Sequence, residues 1–377
     1  MYAFHDEFRQ DPGLRYLNHA AVAPWPRRAA LAVSRFAEQN VLIGARDYPD
    51  WLIVEQRLRE RLMRLLNAPS TADIALVKNT SEALSFVAFG LDWRAGEQIV
   101  ISDEEFPSNR IVWEALKPLG VEVIQVNLSG ADPEQALLNA CGPRTRLMSI
   151  SAVQYASGLR LELERLGNGC RQRGVLFCVD AIQQLGALPF DAQACDCAFA
   201  MADGHKWLLG PEGLGVFYCR SDLREQLKLH EYGWHMLEHV GDYNRTDWQP
   251  ARTARRFECG SPNMLGAMAL EASLSLLEDV GMVEVGKALE ERMQWLQEGL
   301  SRLPGISLHS PTDPSRRAGI LTFSLAGWEK QALFEQLKRE QVICVQRGAG
   351  IRLSPHFYTE ARVIDETLQL LRQLAAR

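Results

Sequence analysis

One lysine stands in a setting that could support covalent chemistry. Lys206 lies in the glycine-rich turn Asp203-Gly-His-Lys-Trp-Leu-Leu-Gly-Pro-Glu-Gly213, which follows one apolar run and precedes the next. A lysine that forms an imine must spend time unprotonated, and partial desolvation beside His205 and Trp207 would lower the pKa of its amine. From composition alone, a solvated loop lysine is the competing interpretation.

A carboxylate closes the apolar run of residues 175–179, upstream of that turn. Asp180 would lie at the carboxyl end of a strand, where parallel sheets place their ligands. There it could keep the ring nitrogen of a pyridine cofactor protonated, so that the ring accepts electrons from a carbanion. Gln183 could donate to a phenolic oxygen of the same ring. Taken alone, Asp180 would be interpreted as a helix cap, and its occurrence together with Lys206 favours the cofactor.

A third segment suits an anion. Asn79-Thr-Ser-Glu82 follows another apolar run and opens a predicted helix, with the spacing of a capping box. Backbone amides and hydroxyls at such a helix start can bind a phosphate. A well-capped helix without a ligand is the competing interpretation.

These segments lie in a stretch that predicts an α/β fold. Between residues 74 and 220, short β-rich apolar runs alternate with helical stretches, the pattern of a parallel sheet wrapped by helices. The predicted strands are residues 74–77, 99–102, 121–126, 147–151, 175–180, 197–201 and 214–218. The predicted helices between them are residues 82–89, 111–117, 133–139 and 161–173.

The C-terminal part has a different pattern. Residues 265–303 predict one or two long helices, and strands at 320–325 and 351–354 flank a helix at 329–340, before a last helix from 360 onward. We therefore expect a small α+β domain at residues 259–377. The large domain would span residues 16–258, and residues 1–15 would form an N-terminal segment that packs with the small domain.

Length and composition restrict the class of protein. With 377 residues and a net charge of −6, the chain has the size of a large domain with a smaller companion, and no basic excess indicates a nucleic-acid partner. Cys195 and Cys197 lack the spacing of zinc half-sites, so no metal is expected. The charged N-terminus lacks the apolar core of a signal peptide, and no stretch is suited to a bilayer. We expect a cytoplasmic protein without a membrane partner.

Five motifs, in order along the chain, resemble those of the class V aminotransferases. These are fold-type I pyridoxal-phosphate enzymes that include cysteine desulfurases, kynureninase and isopenicillin-N-epimerase-like proteins. The motifs are Tyr16-Leu-Asn-His-Ala-Ala, Val179-Asp-Ala-Ile-Gln183, Gly204-His-Lys206, Arg256-Phe-Glu-Cys-Gly-Ser-Pro-Asn263 and Gly350-Ile-Arg-Leu-Ser-Pro-His356. The resemblance runs nearly end to end, and it implies a fold-type I, pyridoxal-phosphate-dependent transferase fold whose large domain holds a mainly parallel sheet.

The resemblance also implies roles for individual residues. Lys206 would form the imine with the cofactor pyridoxal 5'-phosphate and shuttle a proton at the substrate's α-carbon. Asp180 would hold the pyridinium nitrogen and Gln183 the phenolic oxygen. Arg352 would bind the substrate's α-carboxylate, a task that suits a planar guanidinium, and a surface arginine in a solvated strand is its competing interpretation.

The phosphate of the cofactor would be held by groups from two subunits. Thr80, Ser81 and His205 would come from one chain, and Ser261 would reach the cofactor of the partner, where relatives usually have threonine. The resemblance therefore implies a homodimer with composite active sites.

Several positions depart from the relatives. Phe106 stands where desulfurases stack a histidine on the cofactor ring, and an aromatic face still packs the ring but cannot move a proton. A plain core aromatic is the alternative. Tyr155 stands where many relatives have an asparagine near the phenolic oxygen. His19 and Arg46 would line the substrate pocket. Arg347 could contact the substrate as well or solvate the domain edge, and solvation is the favoured interpretation.

The chain also departs from the desulfurases in its sulfur chemistry. Desulfurases carry a nucleophilic cysteine on a mobile loop before the carboxylate-binding arginine, and the corresponding Val345-Gln-Arg-Gly-Ala-Gly350 contains none. Cys344, in the apolar run that precedes this loop, is interpreted as a packed strand thiol.

We therefore expect a pyridoxal-phosphate enzyme that acts at the α-carbon of a small amino acid, either aminotransferase-like or as a β-eliminating lyase. The alternatives are a cysteine desulfurase or selenocysteine lyase, and a non-catalytic protein that binds the cofactor.

Overall fold

The computed structural model describes residues 2–376. Thirteen strands fall within this part of the chain: β1 (Arg15–Tyr16), β2 (Ile74–Val77), β3 (Gln98–Ser102), β4 (Glu122–Val126), β5 (Thr145–Ser151), β6 (Leu176–Asp180), β7 (Phe199–Asp203), β8 (Gly215–Cys219), β9 (Ile306–Leu308), β10 (Leu321–Leu325), β11 (Val342–Ile343), β12 (Val345–Arg347) and β13 (Gly350–Leu353). Ten α-helices share it: α1 (Arg27–Ile43), α2 (Tyr48–Leu66), α3 (Thr80–Gly90), α4 (Ser108–Glu114), α5 (Pro133–Ala140), α6 (Leu163–Arg173), α7 (Met264–Val280), α8 (Met282–Ser301), α9 (Lys330–Arg339) and α10 (Ala361–Ala375).

A seven-stranded sheet forms the centre of the large part, in the order β2-β8-β7-β6-β5-β3-β4. Strands β4, β3, β5, β6 and β7 pair in parallel, whereas β8 is antiparallel to both of its neighbours. The reason is the connection: residues 204–214 join β7 to β8 and are too few for a helical crossover, so the chain returns as a hairpin. The mainly parallel α/β fold predicted from the sequence is confirmed, with β8 as the exception.

This sheet aligns the functional segments along one edge. Strand β6 ends at Asp180 and β7 ends at Asp203, so both carboxylates lie at the carboxyl edge of the parallel strands. Strand β2 runs parallel to β7 because two antiparallel pairings separate them, and its end therefore delivers the start of α3 to the same edge. Ligands of open α/β sheets bind at such an edge.

The C-terminal part has its own core. An antiparallel sheet in the order β12-β13-β10-β9 packs with α8, α9 and α10 around Phe323, Leu337 and Ile364. The N-terminal strand β1 pairs in parallel with β11, and Arg15 forms an ion pair with Glu366 at 2.9 Å. These contacts tie the start of the chain to its C-terminal part.

The predicted long helical stretch is two helices, because Gly281, with φ of 82°, ends α7 and starts α8. Helix α7 packs against α1 and α2 and contributes Leu270 and Leu274 to the core beneath the large sheet.

The predicted domain limits stay a prediction, and residues 1 and 377 lie outside the described residues. Helices α1 and α2 were not predicted. Within the described residues, no helix has the length and apolar character needed to cross a membrane.

Candidate active site

A cavity of about 330 Å³ opens at the carboxyl edge of the large sheet, facing the C-terminal part. Its walls include nine of the residues that the sequence singled out: Thr80, Ser81, Phe106, Tyr155, Asp180, Gln183, His205, Lys206 and Arg352. These residues come from six different segments of the chain, and the fold brings them to one place.

Lys206 lies in the hairpin between β7 and β8, with its amine facing the cavity. Burial lowers the pKa of this amine from 10.5 to about 8, against the attraction of the Asp180 carboxylate. The next residue, Trp207, is fully buried and donates from its indole nitrogen to Gln183 Oε1 at 2.8 Å. Leu209 in the same turn has a φ of 60°, a conformation that a branched side chain rarely adopts without support from its surroundings. The turn is therefore fixed, and Lys206 can lose its proton near neutral pH.

Asp180 is 1% exposed, and its Oδ1 accepts the backbone N–H of Ile182 at 3.0 Å. Burial raises the pKa of this carboxyl from 3.8 to about 7, with a smaller contribution from Glu105. Residues 181–198 form turns, so no helix follows β6 and the interpretation of Asp180 as a helix cap is wrong. A carboxyl group this deeply buried would gain from a cationic partner in the cavity.

Gln183 is held by its neighbours. Its amide oxygen accepts from Trp207, and its amide nitrogen donates to Ala20 O at 3.0 Å. The second hydrogen of this amide remains for a group in the cavity, because an amide nitrogen has two donors.

The start of α3 forms one end of the cavity. Asn79 caps this helix by accepting the N–H of Glu82 at 2.9 Å, as the capping-box spacing predicts. The hydroxyl of Thr80 is buried and has no hydrogen-bond partner among the described residues, and Ser81 Oγ donates to Ser108 Oγ at 2.9 Å. Helix-start amides and an unpartnered hydroxyl together suit an anion such as a phosphate.

His205 and Asp203 lie beside that helix start, and His205 Nδ1 is 3.1 Å from Asp203 Oδ1. The same carboxylate oxygen accepts the backbone N–H of Gly204 at 2.9 Å. Asp203 is thus held by its own turn and lies next to the imidazole.

An aromatic pair forms one wall. The rings of Phe106 and Tyr155 meet edge to face with centroids 5.2 Å apart. Lys206 Nζ lies 5.7 Å from the centroid of Phe106, and this ring is 38% exposed to the cavity side. An exposed ring above the lysine contradicts the interpretation of Phe106 as a plain core aromatic.

Arg352 enters the cavity from strand β13 in the C-terminal part. Its Nη1 donates to Tyr155 O at 2.7 Å, whereas Nε and Nη2 are buried without a hydrogen-bond partner among the described residues. Burial, with a smaller contribution from the charge of Arg347, lowers the pKa of this guanidinium from 12.5 to about 9. The side chain is 1% exposed, so the interpretation as a solvated surface arginine is wrong. A buried cation with two unused donors is prepared for a carboxylate.

Three predicted site residues do not reach this cavity. His19 is buried, with Nδ1 2.8 Å from Ser354 O and Nε2 2.7 Å from Tyr358 Oη, so both ring nitrogens are occupied. Arg46 is exposed at the end of α1 and pairs with Asp47 at 2.9 Å. Ser261 lines a different cavity, near Cys259.

The structure adds residues that the sequence did not assign. Arg347, interpreted as a solvating residue, lines the cavity together with Ser108 and Glu212. Behind the wall, the buried carboxyl of Glu105 accepts from Asn109 Nδ2 at 2.8 Å and from other groups on β3 and β5. No signal in the sequence distinguishes this glutamate from its less buried acidic neighbours, Asp103 and Glu104.

All eight cysteines are free, and no cysteine is among the residues that line the cavity. Cys344 is buried in the C-terminal core, and burial raises the pKa of its thiol to about 12. The turn between β12 and β13, where a mobile loop would bring a nucleophile, consists of Gly348 and Ala349.

Two curated relatives cover most of the chain. A probable cysteine desulfurase of Methanothermobacter thermautotrophicus is 29% identical over 97% of this chain and 97% of its own length. A cysteine desulfurase of Salmonella dublin is 30% identical over 83% of this chain and 78% of its own length.

Among solved structures, a cystine C–S lyase in complex with its reaction product cysteine persulfide has a TM-score of 0.87 at 25% identity, covering 96% of this chain and 99% of that chain. A family model described as aminotransferase class-V matches residues 15–360. With the lysine, the carboxyl and the arginine gathered around one cavity, this chain belongs to the class V aminotransferase family and is a pyridoxal-phosphate-dependent enzyme.

Proposed function

We propose that the protein is a carbon–sulfur β-lyase that acts on cysteine-derived amino acids and works as a homodimer. The observation that carries this proposal is the composition of the cavity wall, which contains a lysine that can lose its proton and a carboxylate-binding arginine but no thiol. Such a set of groups can break a C–S bond by elimination without an enzyme cysteine to receive the sulfur.

The cavity fits the cofactor of the family. Thr80, with its unpartnered buried hydroxyl, would hold the phosphate together with Ser81 and His205. Asp180 would face the ring nitrogen, where a bound cation relieves the cost of its burial. The remaining contacts would come from Phe106 on the ring face and from Tyr155 and Gln183 near the phenolic oxygen. When bound, pyridoxal phosphate supplies an electron-withdrawing ring that stabilises negative charge at the substrate's α-carbon.

The residues of the chain would share the work of elimination. Arg352 would hold the α-carboxylate with its two unused donors, which fixes the amino acid beside the lysine. Lys206 Nζ would take the proton from Cα, and its pKa of about 8 suits a base that must also release that proton. The Cβ–S bond then breaks and the departing sulfur keeps the electron pair. With one water consumed, the products are pyruvate, ammonium and the thiol or persulfide.

The names of the two curated relatives favour a second candidate, a cysteine desulfurase. That reaction transfers sulfur to an enzyme thiolate and leaves alanine. The Cys344 thiol argues against it, because burial raises its pKa to about 12 and the side chain packs in the C-terminal core. The likeness to a cystine C–S lyase supports the first candidate.

Product analysis distinguishes the two reactions. The holoenzyme is incubated with L-cystine or L-cysteine, and pyruvate, ammonium and alanine are measured. We expect pyruvate and ammonium in equal amounts, undiminished in Cys344→Ala and lost in Lys206→Ala. Alanine as the main product, with sulfur bound to the protein and lost in Cys344→Ala, would establish the desulfurase instead.

The homodimer is supported by apolar surface on α1 and α2. Val41 is 86% exposed, Leu42 is 73% exposed and Ile53 is 54% exposed. Apolar surface of this kind is unfavourable in water, and a partner subunit that covered it would remove the cost. Ser261 would then act on the partner's cofactor. Sedimentation equilibrium of the holoenzyme tests this, and a monomer at micromolar concentration would refute it.

A further inference from the structure

Two arginines enter the cavity from one hairpin. Strands β12 and β13 pair with Val345 opposite Arg352 and Arg347 opposite Gly350, so Arg347 and Arg352 are diagonal neighbours on the same face. Diagonal neighbours lie roughly 7 to 8 Å apart, with their Cβ atoms somewhat closer. Both side chains line the cavity, so they present two guanidinium groups side by side.

Neither guanidinium is neutralised within the described residues. Arg352 donates only to Tyr155 O, and Arg347 donates from Nη1 to the carbonyl of its neighbour Gln346 at 2.9 Å. The carboxyl groups that line the cavity are Asp180, Asp203 and Glu212, and no ion pair joins them to either arginine. The hairpin end of the cavity therefore carries two positive charges.

One amino-acid carboxylate can neutralise one of these charges. The phosphate of the cofactor would lie at the α3 end, on Thr80 and Ser81, and so does not serve the hairpin end. Arg347 also lowers the pKa of Arg352 and of Lys206, which is the cost of leaving this charge without an anion. A second anionic group on the substrate would remove that cost.

We propose that Arg347 binds a second anionic group, carried by the sulfur substituent of the substrate. The preferred substrates are then cysteine derivatives whose leaving group bears its own carboxylate, with Arg352 on the α-carboxylate and Arg347 on the distal one. The breakdown of such substrates rests on the proposed β-lyase function. The binding of a dicarboxylate at the arginine pair does not depend on that function.

Two mixed disulfides of L-cysteine test the assignment in the holoenzyme. The one with mercaptopropionate carries a distal carboxylate, and the one with mercaptoethanol carries a hydroxyl instead. We expect Arg347→Gln to lower kcat/KM for the first by about 10- to 100-fold, the value of a lost charge-assisted hydrogen bond, and to leave the second within about 3-fold. Arg347→Lys should recover part of the loss, and Arg339→Gln, on the exposed face of α9, is the matched control.

A binding measurement separates this inference from the reaction. Calorimetric titration of the holoenzyme with glutarate and with butyrate compares two carboxylates with one, and the preference for glutarate should fall about 10- to 100-fold in Arg347→Gln. If no substrate yields pyruvate but this preference holds, the β-lyase function fails and the second anion site stands. If the wild type shows no preference for glutarate, or if Arg347→Gln keeps it, Arg347 is not an anion site and the inference is overturned.

Discussion

Removing the amine of Lys206 should stabilise the protein when it is free of cofactor. Burial lowers the pKa of this amine from 10.5 to about 8, so the folded chain binds the proton less tightly than the unfolded chain does. Between pH 8 and 10.5 the unfolded chain therefore holds more protons, and the stability of the wild type rises with pH through this window. Below pH 8 the full cost of the buried ammonium is present. Lys206→Met keeps the length of the side chain and removes this cost.

The size of the effect follows from the pKa difference. At about 1.4 kcal/mol per pKa unit, the fall from 10.5 to about 8 corresponds to at most about 3.5 kcal/mol. The side chain is only partly buried toward the cavity, and its contact with the ring of Phe106 recovers some energy, so we expect about 2 kcal/mol at neutral pH. Asp180 leaves no stranded charge, because its own pKa of about 7 lets it take up a proton when the ammonium is gone.

Urea denaturation of the cofactor-free wild type and Lys206→Met, at equal protein concentration, measures this difference. The variant should be more stable by about 2 kcal/mol near pH 7, and the gap should close near pH 10. Lys338→Met, on the exposed side of α9, should show no difference in stability from the wild type that changes between pH 8 and 10.5. A variant that is equally or less stable at neutral pH, or a gap that does not change with pH, would refute the role of burial.

Two further substitutions test the cavity wall. Arg352→Gln should raise KM for amino-acid substrates by about 10- to 100-fold with a smaller change in kcat, because it removes a charge-assisted pair with the α-carboxylate; an unchanged KM in steady-state kinetics would contradict this. Glu105→Leu leaves the N–H of Ser151 and the amide of Asn109 without their acceptor in a buried site. It should therefore lower the free energy of unfolding by about 3 kcal/mol or more. A loss of less than about 1 kcal/mol in urea denaturation would contradict this expectation.

The strands of the large sheet could be predicted because each is an apolar run bounded by turn residues. All seven predicted strands overlap an observed strand, including the run that ends at Asp180. The boundaries of a strand were harder to predict where apolar residues continue beyond it. The strand predicted at residues 197–201 is Phe199–Asp203. The prediction began too early because Cys197 and Ala198, which precede the strand, are apolar and as buried as the strand itself. The antiparallel direction of β8 could not be predicted, since a buried strand has the same pattern in either direction.

Helices α1 and α2 were not predicted, for different reasons. In this chain α1 buries only Ala29, and its apolar residues Val41 and Leu42 face outward, so its sequence does not follow the pattern of a helix that packs on the core of its own chain. Helix α2 does bury Leu58, Leu62 and Leu66 at helical spacing, and this periodic signal was overlooked.

The site residues that belong to motifs were predictable, whereas those that depend on pairing between distant strands were not. Arg347 faces the cavity because β12 pairs with β13 in a particular register, which the sequence of the short hairpin does not specify. Glu105 follows two acidic residues that are less buried, and its burial depends on Ser151 and Gln154, far along the chain. His19, predicted to line the substrate pocket, is not among the residues that line the cavity, and one of its ring nitrogens lies 2.7 Å from Tyr358 Oη, near the C-terminus.

Lys206 and the two arginines of the hairpin belong to different parts of the fold, and the side chain of Trp207 connects these parts. Trp207, next to Lys206, is fully buried in the C-terminal core, whereas the hairpin that carries both residues belongs to the large sheet. Gly319 lies against its ring so closely that a Cβ there would be 2.3 Å from the indole. Because the same C-terminal core supports the strand of Arg352, a shift of that core would move the arginine and Trp207 together. Packing around Trp207 therefore helps to fix the distance between Lys206 and Arg352, which we propose as the proton-transfer group and the carboxylate-binding group.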